Sequence, residues 1–291
     1  MATSARELHG AWNFRDVSGS VASVASVASE ASDAPGLQLR RGRLFRSSEL
    51  SRLDDEGRRQ LQDLGLTDVA DLRSPREVER RGPGRVPAGV EVHLLPFPDL
   101  ASDPTGTDGE SPHEHAFKRM MTEKPDGESV ADAATQYMVE EYRRFPTMPG
   151  ARSAVHRVVS LLAADRPVLA HCFAGKDRTG FTVAVVLEAI GLSWDAIVAD
   201  YLRSNDAAPQ LRAQILDMIR ERSQASSTEI TAEVMMFTEA RLSDEVLGVR
   251  EDYLTAARET IDKTYGSLDG YLRAATVSEA DVDKLRSALI V

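Results

Sequence analysis

The segment from 153 to 191 constrains the fold more than any other part of the chain. Its pattern predicts a helix over 153–164, a short apolar strand over 167–170, a tight loop and an apolar helix from Thr179 to Gly191. Two further strands are predicted at 67–72 and 90–95. Strands that alternate with helices are typical of a parallel sheet covered by helices. We therefore expect an α/β fold with a central, mostly parallel sheet flanked by helices.

The rest of the chain is expected to join this core as one domain covering residues 1–291, a length that permits a single elaborated domain. The C-terminal part is predicted to be helical, with segments at 195–204, 209–223, 229–242, 249–264, 267–274 and 278–288. Residues 18–36 contain a threefold Val-Ala-Ser repeat with no helical or strand periodicity. This stretch is predicted to be a low-complexity surface loop.

Composition excludes several classes of function. The net charge of -11 argues against a nucleic-acid partner, because binding a polyanion needs basic side chains that neutralise phosphates. No apolar run approaches the roughly 18 residues needed to span a bilayer, and the N-terminus lacks the features of a signal peptide. Cys172 is the single cysteine, so an internal disulfide is impossible. Cys172 is therefore either inert packing or part of the chemistry.

The loop that joins the 167–170 strand to the next helix suits an anion. Unpaired backbone N–H groups at the start of a helix, together with the helix dipole, attract negative charge. Gly175 lets the backbone approach a bound oxyanion, and Arg178 can offer two parallel hydrogen bonds to it. The same groups would stabilise the thiolate of Cys172, which could then attack phosphorus as a nucleophile. Thr179 could donate a hydrogen bond to the thiolate as it departs.

The spacing His-Cys-x-x-Gly-x-x-Arg-Thr-Gly over 171–180 resembles the protein tyrosine phosphatase superfamily. The resemblance implies a metal-independent phosphatase that works through a phosphocysteine on Cys172 and needs no cofactor. It also implies that His171 orients the loop backbone rather than transferring protons. The phosphate-binding residues implied are Phe173, Ala174, Gly175, Lys176 and Arg178. No metal site is predicted, since His113 and His115 have no further ligand cluster around them.

The form Gly-Lys-Asp-Arg-Thr within this loop resembles the atypical bacterial branch, which is active on phosphoinositides as well as phosphotyrosine. Lys176 could add positive charge where a multiply phosphorylated headgroup extends, or it could only offset Asp177. Two carboxylates compete for the role of general acid. Asp177 has that role in the branch that the chain resembles, whereas Asp99 follows Phe97-Pro98 as in the Trp-Pro-Asp loop of the wider superfamily. We favour Asp177 and expect Asp99 to orient Arg178 or water, although either could merely cap a loop.

The resemblance covers nearly the whole chain and is closest to the secreted mycobacterial phosphatases of this branch. It is carried by AWNFRDV at 11–17, RLFRSSELSRL at 43–53, PFPDL at 96–100, YLRSND at 201–206 and TYGSL at 264–268. The resemblance implies a two-helix lid, here 207–245, although a Met-rich apolar face of this kind is more often core. It also implies non-conventional secretion as a virulence effector, phosphorylated host proteins and phosphoinositides as partners, a monomer, and at most peripheral membrane contact.

Arg40, Arg41, Arg43, Arg73 and Arg76 could form a basic rim for headgroups, although exposed arginines are usually only solvated. The alternative to an enzyme is a phosphoinositide-binding or scaffold protein that keeps the loop for affinity alone. Such a protein would have no need of Cys172, Asp177 and Arg178 together.

Overall fold

A computed structural model describes residues 8–19, 37–97, 129–226, 239 and 241–291. Within them a five-stranded sheet is formed by β1 (Arg15–Asp16), β2 (Leu44–Ser47), β3 (Asp68–Asp71), β4 (Glu91–Leu94) and β5 (Val168–His171). The order across the sheet is β1-β2-β5-β3-β4. Strand β1 is antiparallel to β2, and the other neighbours are parallel. The predicted α/β fold with a mostly parallel sheet is confirmed.

Helices account for most of the remaining described chain. They are α1 (Asp55–Asp63), α2 (Pro75–Arg81), α3 (Val130–Arg144), α4 (Pro149–Ala163), α5 (Asp177–Ala189), α6 (Trp194–Leu202), α7 (Ala208–Ser226), α8 (Asp244–Leu247), α9 (Glu251–Tyr265), α10 (Leu268–Ala274) and α11 (Glu279–Leu289). Two 3-10 turns, Phe145–Thr147 and Arg203–Ala207, link α3 to α4 and α6 to α7. None of the described helices is both long and apolar enough to cross a bilayer.

The strands alternate their side chains between two hydrophobic clusters. Phe45, Val69 and Leu169 face one cluster, which includes the apolar side of α1. Their neighbours, such as Ala70 and Ala170, face a larger cluster built from α4, α5 and the C-terminal helices. This alternation with period two follows from the pleat of a strand. Burial of both faces fixes the register of β5 at the centre of the sheet.

Four strands and α-helices escaped prediction from the sequence, namely β1, β2, α2 and α8. Strand β1, with two residues, and helix α8, with four, are too short to show periodicity, and α2 spans only seven residues. The signal for α2 was nevertheless present: Ser74, Pro75 and Glu77 form a capping box with proline at the first turn. Helix α5 begins at Asp177, two residues earlier than expected. Asp177 and Arg178 therefore belong to its first turn.

The register places part of the expected basic rim at the wrong end of the sheet. Leu44 pairs with Val168 and Ser47 with His171. The residues before β2 therefore lie at the N-terminal ends of the parallel strands, whereas Cys172 lies at their C-terminal ends. Arg40, Arg41 and Arg43 lie at the N-terminal ends of the strands, where Arg43 pairs with Asp165 at 3.1 Å. The prediction that they line a headgroup site was wrong, because a parallel strand separates its two ends by its full length.

Candidate active site

Cys172 is the first residue after β5 and is 2% exposed. His171, at the end of the strand, is fully buried, and its Nδ1 lies 3.2 Å from the carbonyl oxygen of Cys172. Burial lowers the pKa of His171, although Asp71 opposes this effect. A neutral imidazole whose Nδ1–H donates to that carbonyl holds the first peptide of the loop in one orientation.

Two side chains, from the segment before β1 and from β2, hold the carbonyl oxygens of the loop from outside. Asn13 Nδ2 donates to the carbonyls of Ala174 at 3.0 Å and Gly175 at 3.1 Å. Arg46 Nη2 donates to the carbonyls of Gly175 at 2.8 Å and Lys176 at 3.3 Å. In a trans peptide the N–H points opposite to the carbonyl. The N–H groups of residues 175–177 therefore face away from Asn13 and Arg46, towards the inside of the loop.

Asp200 near the end of α6 holds Arg46 and a second arginine, Arg15. Its carboxylate accepts from Arg15 Nε at 2.8 Å and from Arg46 Nη1 at 2.7 Å. All three side chains are buried. Burial lowers the pKa of Arg15 to about 10, and the nearby charge of Arg46 adds to this effect while Asp200 opposes it. A single carboxylate between two guanidinium groups leaves an excess of positive charge beneath the loop.

Gly175 is required by the turn of the loop. Its φ of +66° lies in the left-handed region, and a Cβ there would lie 2.1 Å from the carbonyl oxygen of Ser47. The close passage of the loop over β2 and the direction of the chain therefore both exclude a larger residue.

Arg178 is held in a fixed fork by Glu77 of α2. Its Nη1 and Nη2 donate to the two carboxylate oxygens at 2.6 and 2.8 Å, and Nη1 also reaches the carbonyl of Leu72 at 3.2 Å. Glu77 in turn accepts from the backbone N–H of Ser74 at 2.7 Å. Burial alone raises the pKa of Glu77, but the charge and hydrogen bonds of Arg178 outweigh it and bring the pKa to about 2. Burial lowers the pKa of Arg178, but Glu77 and then Cys172 outweigh this and raise it.

Arg73 is part of the buried framework and not of a rim. Its side chain is inaccessible to solvent and pairs with Asp71 at 2.7 Å and Glu49 at 3.0 Å. Arg81 binds the same Glu49 through Nε at 2.7 Å, and its guanidinium lies 4.2 Å from the centre of the Phe173 ring. The expectation that Arg73 contacts headgroups was wrong, since its charge is used to neutralise two buried carboxylates. Arg76 is half-buried on α2.

Lys176 and Asp177 lie side by side at the start of α5. The ammonium of Lys176 donates to the carbonyl oxygens of Leu247 and Gly248, the latter at 3.2 Å, and lies 3.9 Å from Asp177 Oδ2. Asp177 Oδ1 accepts a hydrogen bond of 3.2 Å from the hydroxyl of Tyr142 on α3. The ammonium is thus engaged by the end of α8, which agrees better with the electrostatic alternative for Lys176 than with a free headgroup contact.

Thr179 and Phe173 differ in their surroundings. Thr179 is fully buried, and its hydroxyl has no hydrogen-bond partner within the described part of the chain. Phe173 is partly buried and meets Trp12 edge to face, with 6.5 Å between ring centres. Phe173 and Ala174 pack in one cluster with apolar residues of α7, including Leu211 and Ile215.

The described residues include only part of the predicted lid and do not include Asp99. Helix α7 is the first half of the expected lid, and it lies against the loop as just described. The second half, predicted at 229–242, falls almost wholly outside the described residues, as do Asp99, the repeat from residue 20 onward and the pair His113 and His115. The choice between lid and core, and the role of Asp99, stay predictions.

A separate polar cluster lies at the N-terminal ends of β3 and β4, away from Cys172. Oxygen and nitrogen atoms of Asp68, Glu91 and His93 lie within 4.8 Å of one another, the closest approach to a metal-ligand set in the described ranges. Asp68 already accepts from His93 at 2.7 Å and from Arg166 at 2.6 Å, and Arg166 also pairs with Glu91 at 3.3 Å. Arg166 pairs with both carboxylates, so it already supplies the positive charge that a metal ion would provide there.

Sequence reasoning missed most of the residues that hold the loop. Asn13, Arg15 and Arg46 appear only within the stretches that carry the resemblance, and Glu77, Tyr142 and Asp200 were not considered. The capping box could have drawn attention to Glu77. For the others, no local pattern marks a side chain whose partner lies more than a hundred residues away, as Asp200 does from Arg46.

Comparison with known proteins agrees with this geometry. A model described as "Tyrosine phosphatase family" matches residues 6–291. The chain belongs to the tyrosine phosphatase family. This phosphatase is 62% identical to the triple specificity protein phosphatase PtpB of Mycobacterium tuberculosis, over 98% of its own length and 99% of that protein.

More distant relatives carry similar names. A putative tyrosine-protein phosphatase of Cupriavidus necator is 32% identical over 87% of this chain and 80% of its own. A tyrosine-protein phosphatase of Nostoc commune is 26% identical over 84% of this chain and 73% of its own. The predicted resemblance and the prediction of a phosphatase are confirmed.

Proposed function

We propose that this phosphatase cleaves phosphate monoesters in two steps, with Cys172 as nucleophile, Arg178 and the loop N–H groups as the phosphate site, and Asp177 as general acid. The proposal rests on the hydrogen bonds by which Asn13 and Arg46 hold the loop carbonyls from outside. It orients a row of N–H groups towards one anion beside Cys172. Preorganised donors of this kind stabilise charge that develops in a transition state.

In the first step the Cys172 thiolate attacks phosphorus, so that the S–P bond forms as the P–O ester bond breaks. Asp177 gives its proton to the leaving oxygen. In the second step water attacks the phosphocysteine, Asp177 takes the proton of that water, and the S–P bond breaks to release inorganic phosphate. Arg178 binds two phosphoryl oxygens throughout, and Thr179 stabilises the thiolate when it leaves. His171 acts on the backbone only.

The positive potential in this site comes from the protein itself. Arg178 and the first N–H groups of α5 supply what a metal ion supplies in other phosphatases, so the reaction is proposed to need no cofactor. Asp177 is preferred over Asp99 because of the resemblance and because Asp177 lies in the first turn of α5, next to Arg178. Asp99 would then orient water.

The substrates proposed are phosphotyrosine, phosphoserine or phosphothreonine, and phosphoinositides. The description of the Mycobacterium tuberculosis relative as triple specificity supports this breadth. Lys176 would contribute to lipid headgroups only if its ammonium left the carbonyls of Leu247 and Gly248. By resemblance we also propose a monomer that is secreted by a non-conventional route, meets phosphorylated host proteins and touches membranes only through headgroups. Its appearance in culture filtrate without a cytosolic marker protein would test the export proposal.

The test is steady-state hydrolysis of p-nitrophenyl phosphate and phosphatidylinositol 3-phosphate by reduced wild type, Cys172→Ser and Asp177→Asn, with chelator present throughout. We expect turnover by wild type, none by Cys172→Ser, and vanadate binding by both. Asp177→Asn should lose about a hundredfold in rate on phosphatidylinositol 3-phosphate, the typical contribution of a general acid, and less on p-nitrophenyl phosphate, whose leaving group needs the proton least.

Each alternative predicts a different result. If reduced wild type binds phosphatidylinositol 3-phosphate without hydrolysing either substrate, the chain is a binding or scaffold protein. A rate retained by Cys172→Ser would rule out the phosphocysteine. Full activity of Asp177→Asn on phosphatidylinositol 3-phosphate would return the role of general acid to Asp99.

A further inference from the structure

We infer that Tyr142 is a positioning residue that holds Asp177 in the orientation for proton transfer, and that Tyr201 holds Tyr142. The inference rests on the proposed role of Asp177 as general acid. Its basis is a chain of two hydrogen bonds that ends on that carboxylate: Tyr201 donates to the hydroxyl oxygen of Tyr142 at 2.7 Å, and Tyr142 donates to Asp177 Oδ1 at 3.2 Å.

The direction of the chain follows from its first bond. A hydroxyl has one proton to donate, and a bond that it accepts leaves that proton for another partner. Because Tyr142 accepts from Tyr201, its own proton points to Asp177 Oδ1. The other carboxylate oxygen, Oδ2, lies 3.9 Å from the ammonium of Lys176, beyond hydrogen-bond distance. Oδ2 is therefore the oxygen that carries the transferred proton, while Tyr142 keeps its own throughout.

Both tyrosines stay neutral donors at any working pH. Their side chains are fully buried, and burial raises the pKa of Tyr142 and of Tyr201 well above the usual value. The negative charge of Asp177 raises both further. A phenol that cannot ionise donates its hydrogen bond in either protonation state of the carboxylate.

Packing fixes the position of both rings. The Tyr142 ring lies between Phe145, at 4.8 Å, and Tyr253, at 5.5 Å. The Tyr201 ring lies against Gly180 in α5, where an added Cβ would lie 2.7 Å from a ring carbon. Asp177 is therefore positioned by Tyr142, which is held by Tyr201, and the Tyr201 ring packs against α5, the helix that begins at Asp177. Small errors in such positions cost large factors in rate.

The test compares Tyr142→Phe with the matched control Tyr271→Phe on two aryl phosphates. Tyr271 is also buried in the aromatic cluster, and its hydroxyl has no hydrogen-bond partner within the described chain. Loss of a general acid harms poor leaving groups most, because they need the proton most. The readout is kcat/KM for phenyl phosphate, a poor leaving group, against p-nitrophenyl phosphate, a good one.

For Tyr142→Phe we expect kcat/KM on phenyl phosphate to fall about tenfold, the effect of one hydrogen bond to a charged group. The loss on p-nitrophenyl phosphate should be much smaller, and vanadate affinity should be unchanged. Tyr201→Phe should show the same pattern with a smaller loss, and it provides the test if Tyr142→Phe does not fold. Tyr271→Phe should keep both rates.

The double variant Tyr142→Phe with Asp177→Asn separates the inference from the function on which it rests. If Tyr142 acts through Asp177, the double variant is no slower than Asp177→Asn alone. Equal losses on both aryl phosphates in Tyr142→Phe, or losses that add in the double variant, would overturn the inference. A kcat/KM on phenyl phosphate that Asp177→Asn leaves intact would overturn the assignment of Asp177 instead.

Discussion

The ion pair between Glu77 and Arg178 should couple stability, pH and activity. Glu77 is buried and accepts from two guanidinium nitrogens and from the backbone of Ser74. A pKa that falls from 4.5 in the unfolded chain to about 2 in the folded one corresponds to about 3 kcal/mol of stability. This contribution is complete above about pH 4.5 and is lost as the pH falls towards about 2.

The substitution Glu77→Gln keeps the shape of the side chain but places an amide against the guanidinium of Arg178. We expect a loss of about 3 kcal/mol in the free energy of unfolding at pH 7, within the range for breaking a buried ion pair. The rate should also fall, since Arg178 loses the partner that aims it at the phosphoryl group. Exposed Glu79 of the same helix offers the matched control Glu79→Gln, which should change neither quantity.

The assay is urea unfolding of wild type and both variants from pH 7 down to pH 3, with vanadate affinity measured at pH 7. The stability difference between wild type and Glu77→Gln should stay constant above about pH 5 and shrink below it. A difference under about 1 kcal/mol at pH 7, or one that does not change down to pH 3, would refute the reasoning.

Two further predictions concern the shape of the loop. Gly175→Ala should abolish hydrolysis and vanadate binding while the protein stays folded, because its Cβ would collide with the Ser47 carbonyl and its φ is left-handed; retained vanadate binding would show that the loop tolerates the change. Asn13→Ala removes two hydrogen bonds to loop carbonyls and should weaken vanadate affinity about thirtyfold, at about 1 kcal/mol per bond. Unchanged calorimetric affinity in Asn13→Ala would mean that Arg46 alone orients the loop.

The local features of the site could be predicted from the sequence because their physical causes are local. The apolar run before Cys172, the glycine at position 175 and the apolar helix that follows it determine a strand, a turn and an anion-binding helix start within about twenty residues. The fold class follows from the same alternation of strands and helices. Boundaries were less certain, as at α5, because the first turn of a helix carries polar residues without apolar periodicity.

The use of each charged side chain depended on tertiary structure. Arg43, Arg73 and Arg178 are chemically identical in the sequence. In the structure Arg43 pairs with Asp165 at the end of the sheet away from Cys172, Arg73 is buried between two carboxylates, and Arg178 pairs with Glu77. The strand order decides which end of the sheet each occupies. The pairing energy depends on distance and burial, neither of which is a property of a residue alone.

The sequence by itself determined that a cysteine, an arginine and a carboxylate share one anion-binding turn. Only the tertiary structure decided what holds that turn: Asn13 and Arg46 on its carbonyls, Glu77 on Arg178, and Tyr142 on Asp177. A turn is specified by the backbone preferences of adjacent residues, whereas these supports join residues far apart in the chain. They meet only because the packing of the sheet and helices brings them within hydrogen-bond distance.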